Sequence, residues 1–173
     1  MSTFYLQGCD SENNALEYFD SIYLPVQELI DLDTEIQENL FDLLVSEEEL
    51  DSINSADIEE APNTAVLEKQ MIDLKSFIIK HINSLPTIKV IDDEENLKYS
   101  YKHLLNSYLY EIDNTWPQLI KIINSEDIGD EDMERFNILL QQTQLNLDKS
   151  LNKFYDVAEF YASRHNIEIE KLM

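Results

Sequence analysis

A chain of 173 residues with 43% hydrophobic side chains is long and apolar enough to bury a real core, which excludes wholesale disorder. Its net charge of -24 argues against binding nucleic acid or an anionic membrane surface, both of which need clustered Lys and Arg. With only two glycines and four prolines, there is little material for phosphate-cradling loops or a many-turned β-sandwich, and long helices are favoured instead.

Cys9 is the single cysteine, so no intramolecular disulfide forms and a reducing compartment is expected. The opening stretch MSTFYLQGCDSENN has no basic region followed by an apolar run, and no segment approaches the roughly 20 apolar residues that cross a bilayer. The expectation is a cytoplasmic protein, with the nucleus as the other compatible compartment.

The first basic residue is Lys69; the 68 residues before it carry 18 Asp and Glu and no Lys or Arg. Pairs along one helix cannot neutralise such a tract, so it is solvated or it faces a basic surface. Within it, residues 11–45 place Leu16, Phe19, Tyr23, Val26, Ile30, Leu40 and Leu44 at helical spacing. Pro25 is expected to kink or divide this helix, and Asp33 falls where the stripe calls for an apolar residue. Ser46-Glu47-Glu48-Glu49 reads as a capping box opening a short helix to about Ile53. Residues 54–63, acidic and containing Pro62, read as a linker, which divides the chain into an acidic helical segment (1–62) and a bundle (63–173).

A second helix over residues 64–84 carries Leu67, Met71, Leu74, Ile78, Ile82 and Leu85 on one face, and Pro86 ends it. The β-branched run TIKVI (87–91) has no partner strand and reads as a packed connection. Asp92 or Asp93 can cap a third helix to about residue 113, with Leu97, Tyr101, Leu104, Tyr108 and Ile112 inward. Thr115-Trp116-Pro117 is a helix restart leading into Leu119, Ile120, Ile122 and Ile123. A polar break containing Gly129 follows, ending in an aspartate placed to cap the next helix.

The last helix, about 131–165, is the longest at roughly 50 Å. Met133, Leu140, Leu147, Phe154 and Tyr161 recur every seventh residue, while the companion position (Phe136, Thr143, Ser150, Val157) is mixed. A half-polar seam suits a bundle or a heteromer better than a homodimeric coiled coil.

Reaction chemistry finds no foothold in these elements. His81, His103 and His165 lie on separate predicted helices without ligand spacing, so no metal is expected. With Gly129 at the sixth position of a calcium loop, the twelfth is Arg135 where a bidentate Glu is needed. Carboxylates are too numerous to single out an acid–base pair, and no nucleophile elbow or nucleotide-binding glycine motif occurs. The chain is therefore expected to be neither an enzyme nor a cofactor carrier.

The aromatics carry more information. Tyr101 and Tyr108 belong to a core stripe, whereas Tyr99, Tyr110, Tyr155 and Phe160 lie off the main stripes, where large rings mark either a second core face or partner burial. The expected partner-binding set is the last-helix seam (Met133, Phe136, Leu140, Leu147, Phe154, Tyr161) with Tyr110 and Trp116. Such a seam, unpaired, predicts self-association of the isolated chain.

Residues 105–163 combine a helix ending at Trp116-Pro117, the apolar segment 119–123, an acidic break and a Gln- and Leu-rich helix from Met133. In this order of elements the chain resembles the smallest coiled-coil subunit of the dynactin shoulder, and small helical kinetochore subunits fit nearly as well. The resemblance implies a non-catalytic subunit that helps assemble a dynein cofactor; it supplies no motif that assigns a role to a residue.

The expected fold is all-α, an elongated antiparallel bundle of five or six helices with a long, coiled-coil-like final helix. The expected role is a structural or adaptor subunit of an intracellular assembly that binds other helical subunits, and neither nucleic acid nor membrane. The alternative is an acidic chaperone for a basic client such as histones.

Overall fold

A computed structural model describes residues 8–50, 64–125 and 128–169, with the side chains of 8–12 and 44–50 left aside. Helix α1 (Gly8–Leu50) buries Ala15, Phe19, Ile22, Val26, Leu29, Asp33, Ile36 and Leu40. These positions alternate steps of four and three, the heptad pattern that keeps one seam against neighbouring helices. The expected stripe shares only Phe19, Val26 and Leu40 with it. Leu16 is exposed, and Tyr23 and Ile30 are half-buried at the edge of the seam. Apolar residues on both flanks of the helix hid the true centre, which includes a small Ala15 and a charged Asp33.

Pro25 neither divides α1 nor ends it. It lies beside the seam rather than in it, and Ser21, whose carbonyl loses its usual amide partner, is on the exposed side. The capping box at Ser46 does not open a new helix, because α1 runs through it to Leu50. The three glutamates after Ser46 are good helix formers, and they continue the helix already present. The expected linker at 54–63 and Pro62 fall outside the described residues.

Helix α2 (Ala65–Ser84) buries Leu67, Met71, Leu74, Phe77 and Ile78, and Leu85–Thr87 form a 3-10 turn at Pro86. The TIKVI segment forms no strand, and Ile88 and Ile91 lean on the core from the connection. Helix α3 (Leu97–Asn114) begins after Asn96, whose φ of 62° is left-handed. Asp93 still caps it from upstream, its carboxylate accepting from the Leu97 amide at 2.6 Å and the Lys98 amide at 3.3 Å.

Helix α4 (Trp116–Ile123) starts with Pro117 in its first turn, as the restart motif requires. Helix α5 (Asp130–Arg164) is capped by Gly129, not by an aspartate. Asp130, Glu131 and Asp132 instead occupy its first turn, where the helix dipole favours them.

The connections alternate in direction. Asn39 donates to Gln70, Lys75 pairs with Asp113, Ser150 donates to Ser107, and Phe19 stacks near Tyr161. Each pair joins helices running opposite ways, so α1, α2, α3 and α5 form an up-down-up-down four-helix bundle with α4 bridging one end. A continuous hydrophobic core runs from Tyr18 in α1 to Ala162 in α5, so the acidic N-terminal helix shares its interior with the rest. Among the described residues, no helix is long and apolar enough to cross a membrane.

Candidate interaction site

The seam of α5 turns inward. Phe136, Phe154 and Tyr161 are fully buried, Leu147 nearly so, and Trp116 is buried at the start of α4. Side chains sealed in the chain's own core offer a partner no surface, so these five are corrected from interface to core. Their neighbours account for this: Tyr161 stacks on Phe19, and Phe154 lies against Tyr23 and Tyr101, with ring centroids 6.1 to 6.4 Å apart. Met133 and Leu140 are half-buried, and Leu140 lines a groove of about 520 Å³ with the exposed Phe41 of α1. Of the expected partner-binding residues, Tyr110 alone is exposed, at 62%.

The polar companion positions of α5 are also answered within the chain. The hydroxyl of Ser150 donates to that of Ser107 at 2.9 Å. One turn along α3, Glu111 is only 4% exposed. Its carboxylate accepts from Thr115 at 2.6 Å, Thr143 at 3.1 Å and Asn146 at 3.0 Å. A buried carboxylate with this many donors is stable where an unpaired one is not.

Asp33 makes the matching polar contact on α1. At 8% exposure it accepts from Gln37 at 2.8 Å and from the Tyr108 hydroxyl at 3.3 Å, both on the same carboxylate oxygen. Burial dominates over these two donors and pushes its pKa up to about 6. The phenol of Tyr108 is held well above its ordinary pKa by burial and by the Asp33 charge.

Arg164, at the end of α5, reaches back to the connection before α3. It contacts Asp92 and Glu95 at 2.8 Å and Glu94 at 3.1 Å. Tyr161 donates to the Ile91 carbonyl at 2.8 Å, and burial together with Asp93 pushes its hydroxyl pKa up to about 12.

The three histidines are dispersed: His81 packs on Phe77, His165 on Tyr161, and His103 lines a surface groove. Burial, with Lys80 beside it, lowers the pKa of His81. Among the described residues, no group of three His, Cys, Asp or Glu side chains converges to hold a metal.

That surface groove lies between α3 and α5 and encloses about 750 Å³. Lys102, His103 and Tyr110 of α3 face Lys149 and Lys153 of α5 across it, with Tyr99 at the end opposite Tyr110. The second aromatic set therefore splits. Tyr155 is half-buried against Tyr23, while Tyr99, Tyr110 and Phe160 are 66%, 62% and 70% exposed. Position off the stripe marks the tyrosines in the sequence, whereas the lysines lie on two helices some 50 residues apart and no periodicity along the chain groups them.

The fold thus defines an all-α four-helix bundle with a solvent-facing groove. No protein family, no curated protein and no solved structure matches the chain.

Proposed function

We propose that this chain is a non-catalytic structural or adaptor subunit of an intracellular, cytoskeletal type of assembly, dynactin-like or kinetochore-like in its helical build. The observation that supports this reading is the exposure of Tyr99, Tyr110 and Phe160 on α3 and α5 while Tyr101, Tyr108, Trp116, Phe154 and Tyr161 pack inside. Large rings left in water on neighbouring helices have much to gain from burial by a partner, at small entropic cost. Because the α5 seam is closed within the chain, self-association through that seam is no longer part of the reading.

The competing role, an acidic chaperone, draws on α1, whose Glu17, Glu28, Asp31, Glu35, Glu38 and Asp42 are all exposed. Affinity capture of the tagged chain from its own cells, washed in parallel at low and high salt, separates the two. A fixed set of partners retained at high salt is expected for a subunit whose contact includes buried rings. Basic proteins lost at high salt, as screening removes attraction between exposed charges, would overturn the subunit reading in favour of the chaperone.

A further inference from the structure

We infer that the groove between α3 and α5 receives an acidic, amphipathic α-helix of a partner protein; the inference rests on the subunit reading above. In this chain acidic residues outnumber basic ones threefold, 36 to 12, yet the groove brings together Lys102, Lys149, Lys153 and His103. The acid lining it, Glu111, has its carboxylate occupied by Thr115, Thr143 and Asn146.

Several other bases are already engaged. Lys75 is paired with Asp113, Arg164 with Asp92, Glu94 and Glu95, Lys98 with the Ile88 carbonyl, and Arg135 with the Gln118 amide. Among the described residues, no carboxylate lies within 4.0 Å of Lys102, Lys149 or Lys153. Three exposed ammonium groups in an acidic molecule, grouped and unmatched, are complementary to carboxylates from outside.

The shape selects a helix. Tyr99 and Tyr110 mark the two ends of the groove along α3. Their spacing in the helix corresponds to about 16 Å, or three turns. An occupant with Asp or Glu at steps of three and four would set its carboxylates along the lysines, and apolar residues at its ends would cover the two tyrosine rings. A long polyanion such as RNA fits less well, because charge extending beyond the groove meets the field of a molecule with net charge -24. A short acidic stripe keeps its charge within roughly one Debye length, about 8 Å, of the lysines.

The test uses the full chain captured with its native assembly and treated with a water-soluble carbodiimide. The reagent activates a carboxylate, and a touching lysine amine then displaces the urea to leave an amide, so lysine–carboxylate contacts are recorded covalently. The expected result is amides from Lys102, Lys149 and Lys153 to acidic residues three or four apart in one partner segment, insensitive to nuclease.

The K102Q/K149Q/K153Q variant should weaken that partner at least tenfold and flatten the salt dependence of its binding, with the melting temperature of the free chain unchanged. A partner set that the triple variant holds as tightly as the parent overturns the inference while the subunit reading stands. Absence of any fixed partner set at low as well as high salt overturns the subunit reading itself. Binding abolished by nuclease overturns the acidic-helix assignment in favour of nucleic acid.

Discussion

Where α1 meets α5 around Phe19, Tyr23, Phe154 and Tyr161, rings lie 4.8 to 6.4 Å apart and the interior is almost wholly apolar. Toward the other end of the same bundle, α3 presents Tyr108 to Asp33 of α1, and Glu111 to Thr143 and Asn146 of α5. The aromatic end draws its stability from area removed from water, which is insensitive to the angle of any one contact. The polar end holds groups that tolerate few arrangements, since a carboxylate out of reach of its donors is costly. One end supplies most of the cohesion; the other restricts which helix faces can meet.

The largest expected effect is at the aromatic end. Phe154→Ala removes a fully buried ring contacting Tyr23, Tyr101 and Tyr155, and should cost about 3–5 kcal/mol in urea unfolding. A loss below about 1 kcal/mol would mean that the rings at this end are not packed as described.

Glu111→Ala comes next, at about 3 kcal/mol, because it strands the buried Thr143 hydroxyl and removes the acceptor of Thr115 and Asn146. A double-mutant cycle with Thr143→Ala should show clear coupling, and strict additivity would break the contrast between the two ends.

Asp33→Asn sharpens the comparison with the smallest change, and its sign is opposite. The folded-state pKa of about 6 stands above the ordinary 3.8, so between these values the folded chain binds more proton than the unfolded one. Stability associated with Asp33 is therefore present at low pH and lost as pH rises through 6. The asparagine oxygen can accept from both Gln37 and Tyr108 without a charge. Thermal melts should show the variant more stable by about 2 kcal/mol at pH 7, with the gain vanishing near pH 4. Equal pH profiles for the two proteins would show that Asp33 is ionised at no cost.

The inward faces of α2 and α3 were legible in the sequence because Leu67, Met71, Leu74 and Ile78, and Leu97, Tyr101, Leu104 and Tyr108, stand out against polar neighbours. The rotation of α1 was not. Leu16 and Leu24 resemble core and are exposed, whereas Ala15 and Asp33 resemble surface and are buried. The seam of α5 was recognised, but what covers it depends on three-dimensional pairing. Thr143 and Ser150 break the apolar pattern because Glu111 and Ser107 stand opposite, a match that periodicity along one helix cannot reveal. The lysine groove is the same kind of feature, assembled from two helices whose sequences are separately unexceptional.

Arg164 holds Asp92, Glu94 and Glu95 around a single guanidinium, closing a loop of some 70 residues at the end of α5. Over most of the described surface, the mutual repulsion of acidic groups is relieved when dissolved ions screen it; at this junction, as between Lys75 and Asp113, screening removes an attraction. Ionic strength therefore pulls this molecule in two directions at once, tightening the body of the bundle while loosening the tie between its last helix and the approach to its third.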